Sequence, residues 1–501
     1  MFAHLHCRSY FSFLEGASPV AALVDQAVRG EVRYLALTDR AGVYAAVNFG
    51  RLAEAAGLHP VIGAELPIAA GRRVTVLARD GEGYAVLCRE LTRHHLDPDF
   101  DWLPALERLA ERNWLLVACP ALLQQILDRF HSPRLVAELV QHGRPADRHR
   151  IRNLLETARR HELMVCASND VAFAGPEDYD VHRLLTAIRR RSTLGKLTPA
   201  DTAPAEAWLK PARQMEEMFR EIPAAVANTV KIAESCQFRF TTEGTLYPPF
   251  PVPEGETAYS LLWKKAFAGA AQRYRPLRRE VIRRLEHELD VICRMGYTEY
   301  FLIVRDVVEF AEREGIPAVG RGSAAGSLTA HALGITHVDP LALGLSFERF
   351  LNDERTDPPD IDIDFCWRRR HDVIRYLYDT YGQENSAMLA TFVTMAGRLC
   401  LRETARALGL PEAEISRFTR HIPHHRGEHV EQVLRDIPEC RNIPFASEPY
   451  RSIIRLAKRI GGFPRHLGLH PCGIVLSRMP LHRVVPLQMT ATGFAATQFD
   501  M

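Results

Sequence analysis

A run of alternating acidic and β-branched residues constrains the fold of this chain more than any other feature. It reads Asp360-Ile361-Asp362-Ile363-Asp364, and strict alternation predicts a β-strand whose successive side chains point to opposite faces. The three carboxylates would share one face at a spacing of ~6.6–6.8 Å. They repel one another and need a cation nearby, unless they lie on a solvent-facing edge strand. Mg²⁺ is one candidate, since it takes oxygen ligands from one or two carboxylates and from substrate phosphates.

A glycine-rich turn precedes this strand by some thirty residues. It spans Gly320–Ser327, after a predicted strand at Ile316–Val319 and before a helical run at Leu328–Leu333. A turn of small residues that leads into a helix exposes backbone N–H groups and the positive end of the helix dipole, which suits phosphate. No Gly-Lys-Ser/Thr follows, so it is not a Walker P-loop. A glycine turn alone is equally typical of packing, but its pairing with an acidic strand indicates phosphoryl transfer. The predicted phosphate contacts are Arg321, Gly322, Ser323 and Ser327.

The first seventy residues alternate between strands and helices. Short apolar strands are predicted at Ala3–Cys7, Tyr34–Leu37 and Pro60–Ile62, with a helix between Pro19 and Gly30 and another at Tyr44–Ala56. Repetition at this spacing predicts parallel strands with crossover helices, in an α/β sheet or barrel. Such folds carry their sites at the carboxyl ends of the strands. Polar side chains on or just after the predicted strands are His4, His6, Asp39, Glu65, Cys119 and Asp170.

Length and composition limit the number of domains and the class of protein. A chain of 501 residues predicts several domains, and four prolines between 248 and 253 mark a linker that precedes two amphipathic helices. Residues 391–460 are predicted to be mainly helical. Ten cysteines without a CxxC pair indicate neither a disulfide framework nor a zinc finger, and no apolar run approaches the ~20 residues of a membrane span. We therefore expect a cytoplasmic protein without a membrane partner. The net charge of +2 does not by itself indicate a nucleic-acid binder.

Several motifs in one order resemble the palm of C-family DNA polymerases, the bacterial polymerase III alpha subunits. They are Gly320–Ser327, Phe347–Leu351, Pro359–Phe365, Tyr381-Gly382, Thr391-Phe392, Pro464–His466, His470–Val475 and Gln498–Asp500. The N-terminal segment resembles the polymerase-and-histidinol-phosphatase (PHP) domain of the same family, so the resemblance covers essentially the whole chain. It implies an α/β multidomain protein: a PHP-type β/α barrel, then an α+β palm like the polymerase-beta nucleotidyltransferases, with a mainly helical thumb insertion. The implied bounds are 1–235 for the PHP domain, 236–258 for a linker, 259–390 and 469–501 for the palm, and 391–468 for the thumb.

The resemblance also implies roles for individual residues. Asp360 and Asp362 would hold two Mg²⁺ ions, and the Gly322-Ser323 turn would grip a nucleoside triphosphate. Asp364 falls outside the family's catalytic pair. Arg349 and Arg355 are expected to contact the triphosphate or primer, with a structural ion pair as the alternative. The family's third catalytic aspartate follows the Gln498–Asp500 motif, and the chain stops at Met501 before it. The 501 residues are therefore expected to be a fragment that does not polymerise alone.

The PHP resemblance is incomplete at the metal ligands. His4, His6, Glu15, Glu65, Cys119 and Asp170 occupy ligand-like positions. Three histidines of the family's set are absent: Arg40 and Ala172 stand in two of their places, and the third is missing near Arg73. An arginine puts a fixed cation where a metal would sit. We therefore expect a degenerate site and a domain that supports the palm, with residual binding of one Zn²⁺ or Mn²⁺ ion as the less favoured alternative.

The expected function is DNA-templated DNA polymerisation with primer-template DNA and deoxynucleoside triphosphates as substrates. Replisome subunits, among them a proofreading exonuclease and a sliding clamp, are the expected partners. Two alternatives stay open at this point: a PHP phosphoesterase or 3′–5′ exonuclease with an inert palm, and a non-catalytic fragment that binds DNA or partner subunits. The choice between a main replicase and an error-prone paralogue also stays open.

Overall fold

The chain forms two compact units in a computed structural model, which describes residues 1–68, 71–241, 247–352, 359–420, 422, 436 and 447–500. The first unit comprises Met1–Thr241, Met388–Gly473 and His482–Met501. The second comprises Thr242–Ala387 and Ile474–Leu481.

The N-terminal part of the first unit is built around a seven-stranded sheet. Its strands lie side by side in chain order: β1 (Ala3–His4), β2 (Tyr34–Arg40), β3 (His59–Pro67), β4 (Arg73–Leu77), β5 (Trp114–Val117), β6 (Leu135–Val140) and β7 (Met164–Ser168). The predicted parallel pairing of the first three strands is confirmed, whereas β4 runs antiparallel to both neighbours. A parallel bridge between Cys7 and Val171 links the segments that follow β1 and β7. The sheet therefore curls into a nearly closed barrel.

Nine helices accompany these strands in the described part of the segment. Helix α1 begins after Pro19 and ends at Gly30, as the sequence predicts, and buries Val20, Leu23, Val24 and Ala27 on one stripe. The helices are α1 (Val20–Arg29), α2 (Ala46–Ala55), α3 (Gly81–Leu96), α4 (Trp102–Ala110), α5 (Pro120–Leu127), α6 (Pro145–Arg160), α7 (Tyr179–Arg189), α8 (Ala212–Met218) and α9 (Pro223–Glu234).

The second unit starts with coil and continues with helices. Residues 247–257 of the expected linker form neither helix nor strand. The elements that follow are α10 (Ala258–Arg273), α11 (Arg279–Arg294), α12 (Thr298–Arg313), β8 (Ala318–Arg321), α13 (Leu328–Ala332), β9 (Asp362–Phe365) and α14 (Arg370–Tyr381). Helix α11 buries Val281, Leu285, Leu289 and Ile292, as its periodicity predicts. These side chains share a core with Phe301, Phe347 and Phe350. Strands β8 and β9 form a separate antiparallel ribbon.

A second sheet has the order β11–β10–β13–β12. Its strands are β10 (Ser386–Thr394), β11 (Pro464–Leu476), β12 (Leu487–Met489) and β13 (Ala495–Asp500). Between β10 and β11 lie α15 (Gly397–Ala407), α16 (Glu412–Thr419) and α17 (Tyr450–Arg459), in line with the expected helical insertion. The insertion is shorter than expected, because Pro464–Leu476 is one continuous strand. None of the helices in the described ranges is long and apolar enough to cross a bilayer.

Candidate functional site

The acidic strand and the glycine turn meet in the β8–β9 ribbon. Arg321 on β8 lies opposite Asp362 on β9, and its guanidinium lies 3.6 Å from the Asp362 carboxylate and donates from Nε to Asp364 at 3.1 Å. These contacts confirm the prediction that Asp362 and Asp364 lie on the same face of the strand. The strand itself begins at Asp362, two residues later than the alternating pattern indicated. Asp360 is exposed just before it. One guanidinium against three carboxylates leaves two negative charges uncompensated within this group of four.

The turn lies directly beside the carboxylate of Asp362. Gly322 has a φ of +76°, a conformation that favours glycine, and a Cβ added there would lie 3.7 Å from Oδ2 of Asp362. Ser323 and Arg321 are exposed at the same edge. The backbone of the turn can therefore come close to a ligand that also contacts Asp362.

The start of α13 differs from the phosphate seat that the sequence suggested. The buried carboxylate of Glu288 accepts hydrogen bonds there from the hydroxyl of Ser327 (2.9 Å) and from the amides of Leu328 (3.0 Å) and Thr329 (2.8 Å). Arg284 donates to the same carboxylate at 2.7 Å. A protein carboxylate thus takes the anion position at this helix terminus. Ser327 has a relative exposure of 0% and offers no surface to a phosphate.

The sequence carries one signal for this arrangement. Glu288 occupies a core-facing position of α11, next to Leu285 and Leu289 on its buried stripe. A charged residue on such a stripe requires partners, but the sequence does not tell which ones. Of the other predicted triphosphate contacts, Arg349 is exposed, and Arg355 lies outside the described residues.

Replacing Glu288 with alanine should lower the free energy of unfolding of the second unit by about 3–5 kcal/mol. The change removes the acceptor of two helix amides and leaves Arg284 without its buried partner. Urea unfolding measures the effect. Glu286, exposed on the same helix, provides the control, and its alanine variant should change the stability by less than about 0.5 kcal/mol. Equal losses in the two variants would show that Glu288 does not hold α13.

A second group of functional side chains lies in the barrel. His6, Glu65 and Asp170 each bring one potential ligand atom within 4.8 Å of the others, so the structure brings three of the six candidate residues together. Arginine side chains already pair with two of these three residues. Arg73 donates to Glu65 at 2.7 Å and to Asp170 at 2.8 Å, and Arg8 donates to Asp170 at 2.7 Å.

The protonation of His6 also opposes metal binding. Its ring nitrogens lie 2.9 Å from Glu138 and 2.9 Å from Glu65. Burial lowers its pKa, but Glu138 and Asp170 outweigh this effect and raise the pKa to about 10. His6 is therefore an imidazolium at neutral pH and has no lone pair for a metal. Despite burial, Arg73 and Arg8 hold the pKa of Glu65 at about 2, and Arg73 holds the pKa of Asp170 well below its usual range.

We call these six side chains the ionic cluster: His6, Arg8, Glu65, Arg73, Glu138 and Asp170. It contains three cationic groups and three carboxylates, so its charges compensate one another without a metal. The residues do not fit a resident metal ion. Arg8 and Glu138 were missed by the sequence reasoning, although Arg8 follows His4 and His6 at the same two-residue spacing along the chain.

The other predicted ligands face different partners. His4 lies 2.9 Å from the carbonyl oxygen of Lys210, and burial lowers its pKa to about 4. Glu15 pairs with Arg40 at 3.0 Å and with Arg189 at 2.9 Å. Cys119 precedes α5 and is not among the ligand atoms that converge in the described part of the barrel. The expected ligand set is thus divided between the cluster and unrelated contacts.

Two segments of the chain match known protein families, and its whole length matches known proteins. Residues 260–501 match the family model for the bacterial DNA polymerase III alpha NTPase domain, and residues 4–159 match the PHP domain. The chain is 37% identical to the error-prone DNA polymerase of Symbiobacterium thermophilum and 34% identical to that of Nocardia farcinica; each alignment covers 100% of this chain and 49% of the relative. It is 31% identical to the DNA polymerase III subunit alpha of Caulobacter vibrioides, over 100% of this chain and 47% of that protein.

The chain thus spans about half the length of the curated relatives it matches. Both family models fall where the fold has the corresponding elements: the PHP match lies on the barrel, and the polymerase match includes the β8–β9 ribbon. Over its whole length the chain is similar to error-prone DNA polymerases and to a DNA polymerase III subunit alpha, and its two segments match the PHP domain and the bacterial DNA polymerase III alpha NTPase domain.

Proposed function

We propose that the gene product containing this chain is a DNA-templated DNA polymerase, which joins a deoxynucleoside triphosphate to the 3′-hydroxyl of a primer. The observation that carries the proposal is the position of Asp362: its half-buried carboxylate lies beside Gly322 of the Gly322-Ser323 turn, two residues after the exposed Asp360. An acidic edge next to a backbone turn suits a ligand that brings both phosphates and cations.

The donor set at this edge fits Mg²⁺. Asp360 and Asp362 offer hard carboxylate oxygens, and the guanidinium of Arg321 pairs with Asp362 and Asp364 on the ribbon. We assign Asp360 and Asp362 as the residues that would hold the ions. Bound Mg²⁺ supplies activation of the primer hydroxyl and charge compensation on the triphosphate.

The side chains of the ribbon would position the triphosphate. Arg321 is about half exposed and now pairs with Asp362 and Asp364, so it can turn its planar fork to phosphate oxygens when a nucleotide binds. Gly322 leaves room for close approach of the backbone, and Ser323 adds a hydroxyl donor. Because the chain resembles C-family DNA polymerases, we also assign Arg349 and Arg355 to contacts with the triphosphate or the primer.

The barrel supports this proposal and not the hydrolytic alternative. Of its three convergent ligand positions, Glu65 and Asp170 pair with Arg8 and Arg73, and the third, His6, is itself protonated. A phosphoesterase or exonuclease centre would have to break these pairs before it could bind a metal. We assign the barrel a structural role, and place the polymerase with its replisome partners in the cytoplasm, where bacterial DNA and deoxynucleotides are found. Relatives named DNA polymerase III subunit alpha and error-prone DNA polymerase both match the chain, and the proposed chemistry does not depend on which of the two types this gene product is.

Binding of primer-template DNA by this gene product should weaken as salt rises. Contacts with DNA phosphates release counterions, so the affinity should fall by more than ~10-fold between about 50 and 200 mM salt. Fluorescence anisotropy of a labelled primer-template measures the effect, with single-stranded and blunt duplex DNA as competitors. Lack of binding at low salt would contradict the proposal.

A further inference from the structure

The backbone between the two proposed catalytic acids is held by a side chain from a different element. The amide of Ile361, which separates Asp360 from Asp362, donates a hydrogen bond to the hydroxyl oxygen of Tyr300 at 3.2 Å. Tyr300 belongs to α12 and is 61 residues away in sequence. This contact fixes the backbone at the residue between Asp360 and Asp362.

The strand ladder does not reach this position. Pairing between β8 and β9 runs from Ala318 opposite Phe365 to Arg321 opposite Asp362. Asp360 and Ile361 come before the first ladder pair. Because the ladder orients Asp362 but ends there, the hydroxyl of Tyr300 provides the fixed point for the residue that precedes it.

Tyr300 is itself firmly placed. Its ring centroid lies 5.2 Å from that of Tyr247 and 6.2 Å from that of Phe301, a fully buried member of the core. Burial raises the pKa of Tyr300 to about 12, and the charges of Asp360 and Asp362 act in the same direction. The hydroxyl therefore remains protonated at neutral pH. Since its oxygen accepts from Ile361, its hydrogen is left to donate toward a second acceptor.

We propose that Tyr300 is a positioning residue that sets the orientation of Asp360 relative to Asp362. The proposal rests on the proposed polymerase function and adds to it a residue that acts through the backbone amide of Ile361. Two carboxylates can bind the same pair of ions beside one nucleotide only when both side chains point toward the ion site. Misplacement of a reacting group by about 1 Å can lower the rate by up to about 100-fold.

The test is Tyr300→Phe, which removes one hydroxyl and keeps the ring. In the gene product containing this chain, kcat for single-nucleotide incorporation should fall by about 10-fold or more. The KM for the nucleotide, the Kd for primer-template and the thermal midpoint should stay near their wild-type values. Tyr297→Phe is the matched control, because its ring packs against Tyr247 at 6.2 Å without this contact to Ile361. It should leave kcat unchanged.

A second readout does not depend on activity. Electron paramagnetic resonance of Mn²⁺ with the 501-residue chain measures ion binding, and the Mn²⁺ that Asp362→Asn no longer binds defines the site. Tyr300→Phe should weaken that binding by about 3-fold to 10-fold. Wild-type kcat and wild-type Mn²⁺ affinity in Tyr300→Phe would overturn the positioning role, as would a loss of thermal stability equal to that of a core truncation. Neither result would touch the proposed function, which fails separately if Asp362→Asn remains active.

Discussion

Replacing Asp362 with asparagine should reduce nucleotide incorporation by the gene product containing this chain by about 1,000-fold. Asparagine keeps the shape of the side chain but removes the charge that would hold a cation beside the triphosphate. Asp362 is the acid that lies opposite Arg321 and next to Gly322. Primer-template affinity should stay within about 3-fold, because DNA binding is spread over many phosphate contacts. Single-turnover incorporation at saturating nucleotide measures the loss.

Asp364→Asn is the matched control for this prediction. Asp364 contacts the same arginine at 3.1 Å and lies on the same strand, yet it is more exposed than Asp362 and lies outside the proposed catalytic pair. Its loss should reduce incorporation by less than about 10-fold. Equal effects of the two variants would mean that the ribbon acts through its general negative charge and not through Asp360 and Asp362.

Replacing Arg73 with methionine should destabilise the barrel by about 3–5 kcal/mol. The guanidinium of Arg73 holds the carboxylates of both Glu65 and Asp170, and its removal leaves like charges together in a buried site. Arg72→Met changes an exposed neighbour that contacts Gln125 at 3.3 Å, and it should alter stability by less than about 0.5 kcal/mol. Urea unfolding followed by circular dichroism compares the two variants.

The effect of metal ions on the thermal midpoint provides a second test of the ionic cluster. If the ionic cluster replaces a metal centre, a chelator should leave the thermal midpoint of the wild-type chain unchanged, and added Zn²⁺ or Mn²⁺ should not raise it through His6. Stoichiometric metal that depends on His6 and Glu65 would contradict the scaffold role of the barrel. A mild effect of Arg73→Met, equal to that of Arg72→Met, would do the same.

The sequence predicts the elements of the candidate site better than its long-range contacts. Period-two alternation locates the strand of Asp362 and Asp364, and helical periodicity locates α11 and α12. Asp360 falls outside the strand because the ladder with β8 ends at Arg321. That limit depends on the length of the partner strand, which local alternation does not contain.

The ionic cluster shows the same division. The sequence identifies the missing histidine near Arg73, but it does not show that the guanidinium bridges Glu65 and Asp170. That contact depends on the antiparallel register of β3 and β4, in which Thr75 lies opposite Glu65 and Arg73 lies opposite Pro67. The role of Glu288 at the start of α13 was hidden for a similar reason, since its partner Ser327 is 39 residues away.

The change in primer length on one labelled primer-template tests the central claim most directly. With Mg²⁺ and all four deoxynucleoside triphosphates, the gene product containing this chain should lengthen the primer, and Asp362→Asn should stop the lengthening. Without nucleotides, the primer should keep its length. The candidate metal ligands Glu65 and Asp170 of the barrel pair with Arg73, so we expect no metal-dependent exonuclease activity there. A primer that is not lengthened, or one that is shortened by an activity lost in His6→Gln and retained in Asp362→Asn, would contradict the account.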